Sequence, residues 1–395
     1  MENNFSLDLA LIPKELKLIL EIIKIEDVER FQANSSDWFK DIDWKLFLEL
    51  AIHHRVYPIL SLKIKKFDVN LIPPNVIQIL NLTYRKNTLQ MLHLSSVMVE
   101  ICKIFNDNQI KLLVLKGPIL GEDLYGDVSK RTSGDLDVLI PIDDLAKVEE
   151  LLIQLGYEKD DYIQTVLNDW TWRHHHVTYF HPQKNIKLEI HWRLNPGPGK
   201  EPPFIELWKR KRVSALTSYP VYYLGREDLF LFLVSHGARH GWSRLRWLID
   251  IKQLVKQNIN WVSLAKLLKK HQFLNVAGQA IVLCSQLLSI SITKEMKPLI
   301  KGKHPKMLAQ AAIFYLERMV NLHTDPVPAD ISKYHKRHLT SLMSRQQRIF
   351  FIISFLYPYP EDAETLPLPE YLHFLYFPLR PFLWAWRKTK SHAIS

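Results

Sequence analysis

The chain has 395 residues, 47% of them hydrophobic and 11% aromatic, with a formal charge of +11. That hydrophobic content excludes a disordered chain, the length implies two or three packed units, and 12 glycines are too few for a turn-rich all-β architecture. The cation excess favours polyanionic partners such as nucleotides, nucleic acid or an anionic membrane surface, with solubility alone as the plain alternative.

The first stretch, MENNFSLDLALIPKELK, has no basic segment followed by an apolar run, so no signal peptide is expected in it. Residues 1–108 read as a helical region. Trp44, Phe47, Leu48, Ala51 and Ile52 form one helical stripe, and Pro73 and Pro74 mark the start of a second, longer helix. The pattern changes at KLLVLKG, a short apolar run ending in glycine, which suits a buried strand. PILGEDLYG follows as a short helix with Pro118 in its first turn, and GDLDVLI as a second strand. Leu145, Val148, Leu151, Leu152 and Leu155 recur at helical spacing, with Asp143 placed to cap that helix and Gly156 to end it. HHHVTYFHPQKNIKLEIHW reads as a hairpin around a Pro-Gln-Lys-Asn turn. NPGPGKEPP is a breaker-rich loop, and amphipathic helices are expected beyond residue 225. The reading is therefore α+β: a small mixed-sheet core over 109–225, flanked by helical regions over 1–108 and 226–395. Cys102 and Cys284 lie in apolar helical patterns and are expected to be buried free thiols. The longest apolar run, IFFIISFLYPYP, falls short of the roughly 20 residues a membrane-spanning helix needs, so a cytoplasmic protein is expected.

The stretch RTSGDLDVLIP poses the chemical question. Asp135 and Asp137 alternate with Leu136, Val138 and Ile140, so both acids share one face of a strand whose other face is apolar. Adjacent like charges repel there and disfavour the strand. In IKLEIHW the same alternation places Glu189 opposite an apolar face. If the two strands are neighbours, three carboxylates converge, a costly arrangement without a cation. Carboxylates with waters and phosphate oxygens suit Mg²⁺ or Mn²⁺. Lys116 and Gly117 end a strand and open a helix, where backbone N–H groups and the helix dipole favour phosphate. Lys116 and Arg131 are suited to pair with phosphate oxygens.

LKGPILGEDLYGDVSKRTSGDLDVLIP followed by LEIHWRL resembles the nucleotidyltransferase superfamily with the DNA polymerase β-like fold, and more closely its family of uncharacterised bacterial nucleotidyltransferases. The likeness covers about residues 110–195, and LAIHHRVYP and RLRWLIDI extend it more weakly into the flanks. Many superfamily members have Gly-Gly or Gly-Ser where this chain has Lys116-Gly117, and a shorter spacing to the first acid; the closer family shares both features. The resemblance implies two-metal transfer of a nucleoside monophosphate from an NTP, with pyrophosphate leaving. Asp135 and Asp137 would ligate metal and Glu189 would be the third acid, positioning or activating the acceptor hydroxyl. Lys116, Gly117 and Arg131 would bind the nucleotide's phosphates. The acceptor is left open between a small molecule, a peptide and a glycan, with roles beside peptide natural-product or polysaccharide pathways implied. Transfer to RNA is the first alternative, although no known RNA-binding motif is present. A non-catalytic nucleotide-binding or interaction module of a biosynthetic complex is the second.

Other groups carry weaker signals. His174, His175 and His176, with His181, suggest zinc, but consecutive strand residues alternate faces and should not share one tetrahedral site. His236 and His240 share a helix face without the glutamate that a zinc protease helix carries. Arg239, Arg244, Arg246 and Asp250, with Trp242 and Trp247, suit either contacts to triphosphate or acceptor, or a surface ion-pair network over core tryptophans. DWTWRHHH suits a stacking surface or a half-buried strand edge. EYLHFLYFPLRPFLWAWRKTKS is expected to pack back on the body rather than lie on a membrane surface or a partner, and Pro378 and Pro381 to interrupt any single helix there.

Overall fold

The structure, a computed structural model, describes residues 5–25, 36–67, 71–322, 324 and 326–393. Helices α1 (Lys14–Lys24), α2 (Trp44–His53), α3 (Tyr57–Ile64) and α4 (Pro74–Asp107) come first. Of the expected stripe of α2, Phe47 and Ala51 turn inward, joined by Leu50, while Ile52 is exposed. Asp43 caps the helix by accepting from the N–H groups of Lys45 and Leu46. Pro74 opens α4 at the position where a missing N–H costs nothing.

The α+β reading holds. Strands β1 (Leu113–Val114), β2 (Asp135–Leu139), β3 (Glu158–Lys159), β4 (His176–His181), β5 (Ile186–His191), β6 (Arg212–Val213) and β7 (Tyr222–Tyr223) form one mixed sheet in the order β3-β4-β5-β2-β1-β7-β6. Between them lie α5 (Pro118–Tyr125), α6 (Leu145–Gln154), α7 (Trp170–Arg173) and α8 (Phe204–Lys209). β2 runs parallel to β5, with Leu136 beside Leu188 and Val138 beside Ile190. All four side chains are fully buried. Each contributes roughly 1.5–3 kcal/mol, and together they pin the register that turns Asp135, Asp137, Lys187, Glu189 and His191 to the opposite face. β4 pairs antiparallel with β5 and adds Thr178 beside Glu189 and His176 beside His191.

Beyond the sheet follow α9 (Arg226–Arg239), α10 (Leu245–Val255), α11 (Trp261–Lys270), α12 (Leu274–Leu288), α13 (His304–Glu317), α14 (Ala329–Leu342), α15 (Arg345–Ser354), α16 (Pro360–Thr365) and α17 (Tyr376–Ala393). The sharp bend between α9 and α10 is made by Gly241 and Trp242, both at positive φ, and the Trp242 indole is wholly buried. Cys102 and Cys284 are buried free thiols, as expected. Among the described residues no helix is long and apolar enough to cross a membrane.

Several local expectations need correction. Asp143 does not cap α6: a 3-10 turn over Ile142–Asp144 leads into the helix, and no side-chain cap bond forms. Residues 170–173 are a helical turn rather than a strand edge, because Trp170 packs on Trp192 and Arg173 pairs with Asp169 one turn back. α17 is one helix despite its prolines. Pro378 falls in the first turn, where N–H groups have no intrahelical partner, and Pro381 removes a single bond. That helix is anchored on the segment before it, through Arg380 on Asp362 and a fully buried Tyr376. Its outer face, with Phe382, Trp384 and Trp386, is more than half exposed.

Candidate active site

The turn between β1 and α5 is held by Gly117 at φ 90° and ψ −143°, a conformation that a residue with a Cβ rarely adopts. It carries Lys116 over β2, where its Nζ lies 2.8 Å from Asp137 Oδ1. Asp137 is wholly buried. His191 Nε2 stands 3.2 Å from the same oxygen, while Oδ2 is buried with no hydrogen-bond partner. Glu189, the register partner of Asp137, receives Lys187 Nζ at 2.7 Å and lies 3.5 Å from His191 Nε2. His176 Nε2 is 4.0 Å away.

The electrostatics follow from this crowding. Burial alone raises the Glu189 pKa, but the hydrogen bond and charge of His191, with Lys116 and His176, hold it well below the usual carboxylate range. Burial opposes the charge on His191, yet its bonds to Asp137 and Glu189 raise its pKa above 6.5. Burial, then the neighbouring His191, pushes His176 down to about 4, and burial with Arg239 pushes His175 further down.

Two sets of potential metal ligands result, Asp137–Glu189–His191 and His175–His176–His191, each with its ligand atoms within 4.8 Å of one another. The second set joins two of the consecutive histidines, His175 and His176, to His191, while His174 stands outside it. β4 begins only at His176, and His174 ends a helical turn, so strand alternation does not apply to His175. Its Nε2 lies 3.2 Å from His176 Nδ1.

Of the acids singled out in the sequence, Asp137 and Glu189 meet. Asp135 lies on the same face beside Lys187 and lines the cavity, with Oδ1 accepting from Ser133 Oγ at 3.3 Å, but stands outside both ligand sets. Arg131 is wholly buried, and its guanidinium is committed to Asp250, Nη2 to Oδ2 at 3.0 Å and Nε to Oδ1 at 3.1 Å. Burial opposes its charge, but Asp250 outweighs that and raises its pKa.

The opposite wall comes from the helices. Arg239, Arg244 and Arg246 have no carboxylate partner among the described residues; the ion-pair network considered for them is taken up by Arg131 and Asp250 instead. Arg246 donates to the Thr132 carbonyl and hydroxyl, and Arg244 to the His53 carbonyl at 2.6 Å. Burial brings the Arg246 pKa down to about 9 and those of Arg239 and Arg244 to about 10, so all three remain cations near neutral pH. Arg55 joins them from the turn after α2, at φ 56°, a left-handed conformation uncommon for a non-glycine residue. Between the two walls is a cavity of about 350 Å³, lined also by His236, His240 and Trp247. Its charge balance is lopsided. Several guanidiniums lacking carboxylate partners face two lining carboxylates, Asp135 and a Glu189 already paired with Lys187 and His191, which suits a polyanionic ligand.

Sequence reasoning did not assign roles to His191, Lys187 or Arg55, and weighed His176 only for zinc. His191 and Lys187 were legible as the same-face neighbours of Glu189 two residues away. His176 and Arg55 reach the site only through β4 pairing and the docking of α2 on α10, where Arg246 N–H donates to the His54 carbonyl at 3.2 Å.

A family model described as "Uncharacterised nucleotidyltransferase" matches residues 40–289, more than half of the chain. The match takes in α2, the whole sheet and α9–α12, hence both walls of the cavity. No curated protein matches the chain.

Proposed function

The chain belongs to the uncharacterised nucleotidyltransferase family, and on that premise we propose that it transfers a nucleoside monophosphate from an NTP to a hydroxyl or phosphate of a non-nucleic-acid acceptor, with Mg²⁺ or Mn²⁺ as cofactor. The observation that carries the reading is the shared cavity of carboxylates and guanidiniums that lack carboxylate partners. The donor set fits a divalent cation. Asp137 has a buried oxygen with no partner, and Glu189 and His191 lie within ligand reach of it. Carboxylates suit Mg²⁺, and the imidazole makes Mn²⁺ an equally good match.

Asp137, Glu189 and His191 would hold the cation, and Asp135 adds a further carboxylate to the cavity. When bound, the cation supplies Lewis-acid stabilisation of the phosphate oxygens. Lys116, at the mouth of α5, and Arg55, Arg239, Arg244 and Arg246, on the facing wall, grip and orient the triphosphate. Gly117 shapes the turn that sets Lys116 at the N-terminus of α5, where the helix dipole favours phosphate. Arg131 also lines the cavity and fixes the turn through its contact with the Gly117 carbonyl at 3.4 Å. The acceptor oxygen bonds to the α-phosphorus, the bond from that phosphorus to the bridging oxygen breaks, and pyrophosphate leaves with the electron pair. Glu189, kept ionised by its cationic neighbours, positions the acceptor oxygen, and the acceptor's proton leaves to solvent.

The test is Asp137→Asn, nearly isosteric and one charge lighter. The parent should gain roughly 2.7 kcal/mol when Mg²⁺–NTP stands at 100 times its Kd, and should release pyrophosphate. The variant should lose both effects. A variant that keeps its Mg²⁺–NTP melting shift and its turnover would sink the assignment. A non-catalytic nucleotide-binding module is the second reading, and the pairing of both acids with Lys116, Lys187 and His191 favours it. Nucleotide binding by the parent, without pyrophosphate release across a panel of acceptors, would select it.

A further inference from the structure

A second cavity, of about 370 Å³, lies against the proposed active site and has the opposite character. Phe273, Val276, Leu339, Leu342, Met343 and Phe351, from the start of α12 and from α14 and α15, make it mainly apolar. Three chain segments run from one cavity into the other. On α9 and its C-cap, Phe232, His236 and His240 line the polar cavity, Ser235 and Ala238 the apolar one, and Arg239 both. Residues 172 and 173 line the apolar cavity and 175 and 176 the polar one. β5 lines the polar cavity through Glu189 and His191, and the loop after it lines the apolar cavity from Asn195 to Glu201. The breaker-rich loop NPGPGKEPP, which the reaction above leaves without a role, thus forms a wall.

Two cations sit in this apolar wall with unmet bonding capacity. Arg239 Nε and Arg173 Nη2 are buried and have no hydrogen-bond partner. Arg173 is fixed by Asp169 at 2.5 Å and lies 4.2 Å from the centre of the Tyr359 ring. Arg239 reaches His175 Nε2 at 3.4 Å, at the edge of the imidazole cluster beside Glu189. A volume near 370 Å³ lies in the usual range for a bound small molecule, and an apolar lining with a few convergent polar groups is what such sites have.

We propose that this cavity is the acceptor site: it takes a small amphiphile with an aromatic or aliphatic body and an oxygen-bearing head, hydroxyl, carboxylate or phosphate, directed at Arg239. This rests on the nucleotidyltransferase reading and narrows its acceptor to an amphiphile, with a carboxylate added to the head groups that reading names. The body is buried among the residues of α12, α14 and α15, and the head oxygen is delivered past Arg239 to the α-phosphorus. There it forms the new P–O bond as the bond to the bridging oxygen breaks; pyrophosphate takes the electron pair, and any proton the head carries passes to solvent. A nucleic-acid or sugar acceptor finds too few hydrogen-bonding partners in such a lining.

The probe is a trifluoromethyl-substituted naphthalene carboxylate, whose body and head match the cavity. Its binding is followed by ¹⁹F NMR on the full chain, and Mg²⁺–NTP binding is followed separately by calorimetry. Leu339→Trp and Met343→Trp each fill the cavity from α14 or just beyond it, so a folding failure in one leaves the other. Each should weaken the probe at least tenfold and leave NTP affinity within twofold of the parent. Mn²⁺ should broaden the bound probe's ¹⁹F signal in the parent and not in Asp137→Asn, placing the probe beside the acid cluster. Probe binding that is absent, or unmoved by both substitutions, or insensitive to Mn²⁺ while NTP still binds, overturns the acceptor site and leaves the nucleotidyltransferase reading standing. Failure of the parent to bind any NTP overturns that reading, and the acceptor assignment with it.

Discussion

Replacing Asp250 with asparagine tests how the floor of the site is held. Arg131 and Asp250 side chains are 1% and 0% exposed, and the carboxylate takes two guanidinium nitrogens and the Tyr125 hydroxyl at 2.7 Å. An exposed ion pair is worth about 0–1 kcal/mol. Removing one partner of a buried pair costs roughly 3–5 kcal/mol, because the remaining charge stays desolvated. The upper part of that range applies here. Arg246 is also buried, has no carboxylate partner among the described residues, and lies close enough to Arg131 for the two charges to repel. Asp250→Asn should therefore lose about 4–5 kcal/mol of unfolding free energy, read from urea titrations followed by tryptophan fluorescence. The double variant Arg131→Met with Asp250→Leu removes both charges and should recover most of that loss. A loss near 1 kcal/mol or less, the value of a surface pair, would refute the reasoning, as would a double variant no more stable than Asp250→Asn.

His338 should confer an acid limb on stability. It is 3% exposed, its Nε2 bonds to the Ala238 carbonyl at 2.9 Å, and burial first, then His335, brings its pKa down to about 4 from 6.5. The unfolded chain takes up the proton more readily, so this contribution falls as pH drops from 6.5 to 4 and totals on the order of 3 kcal/mol. His338→Gln should flatten that limb in urea midpoints taken across the window, and an unchanged slope would count against it. Gly117→Val should fold but bind Mg²⁺–NTP more weakly: a Cβ there has room, its nearest neighbours being 3.7 Å away, yet φ +90 costs roughly 1–3 kcal/mol for any residue with one. Unchanged NTP affinity by calorimetry would remove the turn from the phosphate site.

The local chemistry was legible in the sequence because it follows periods that short segments obey by themselves. Alternation with Leu136 and Val138 put Asp135 and Asp137 on one face, and alternation with Leu188 and Ile190 put Glu189 on another strand's polar face. The Lys116-Gly117 turn, the long helix opening at Pro74 and the hairpin before Trp192 were read the same way. What no local period contains is which strand lies beside which. The parallel pairing of β2 with β5 sets Asp137 against Glu189, and the crossing of Lys116 and His191 over that pair decides that these two acids meet while Asp135 stands apart. Arg131 was read as a phosphate ligand, and only the packing of α10 shows that its guanidinium pairs with Asp250, 119 residues away. The arginine wall has the same origin. Arg55, Arg239 and Arg246 are brought together by helices docking on helices, an arrangement set by the total apolar surface buried and encoded in no single stretch of the chain.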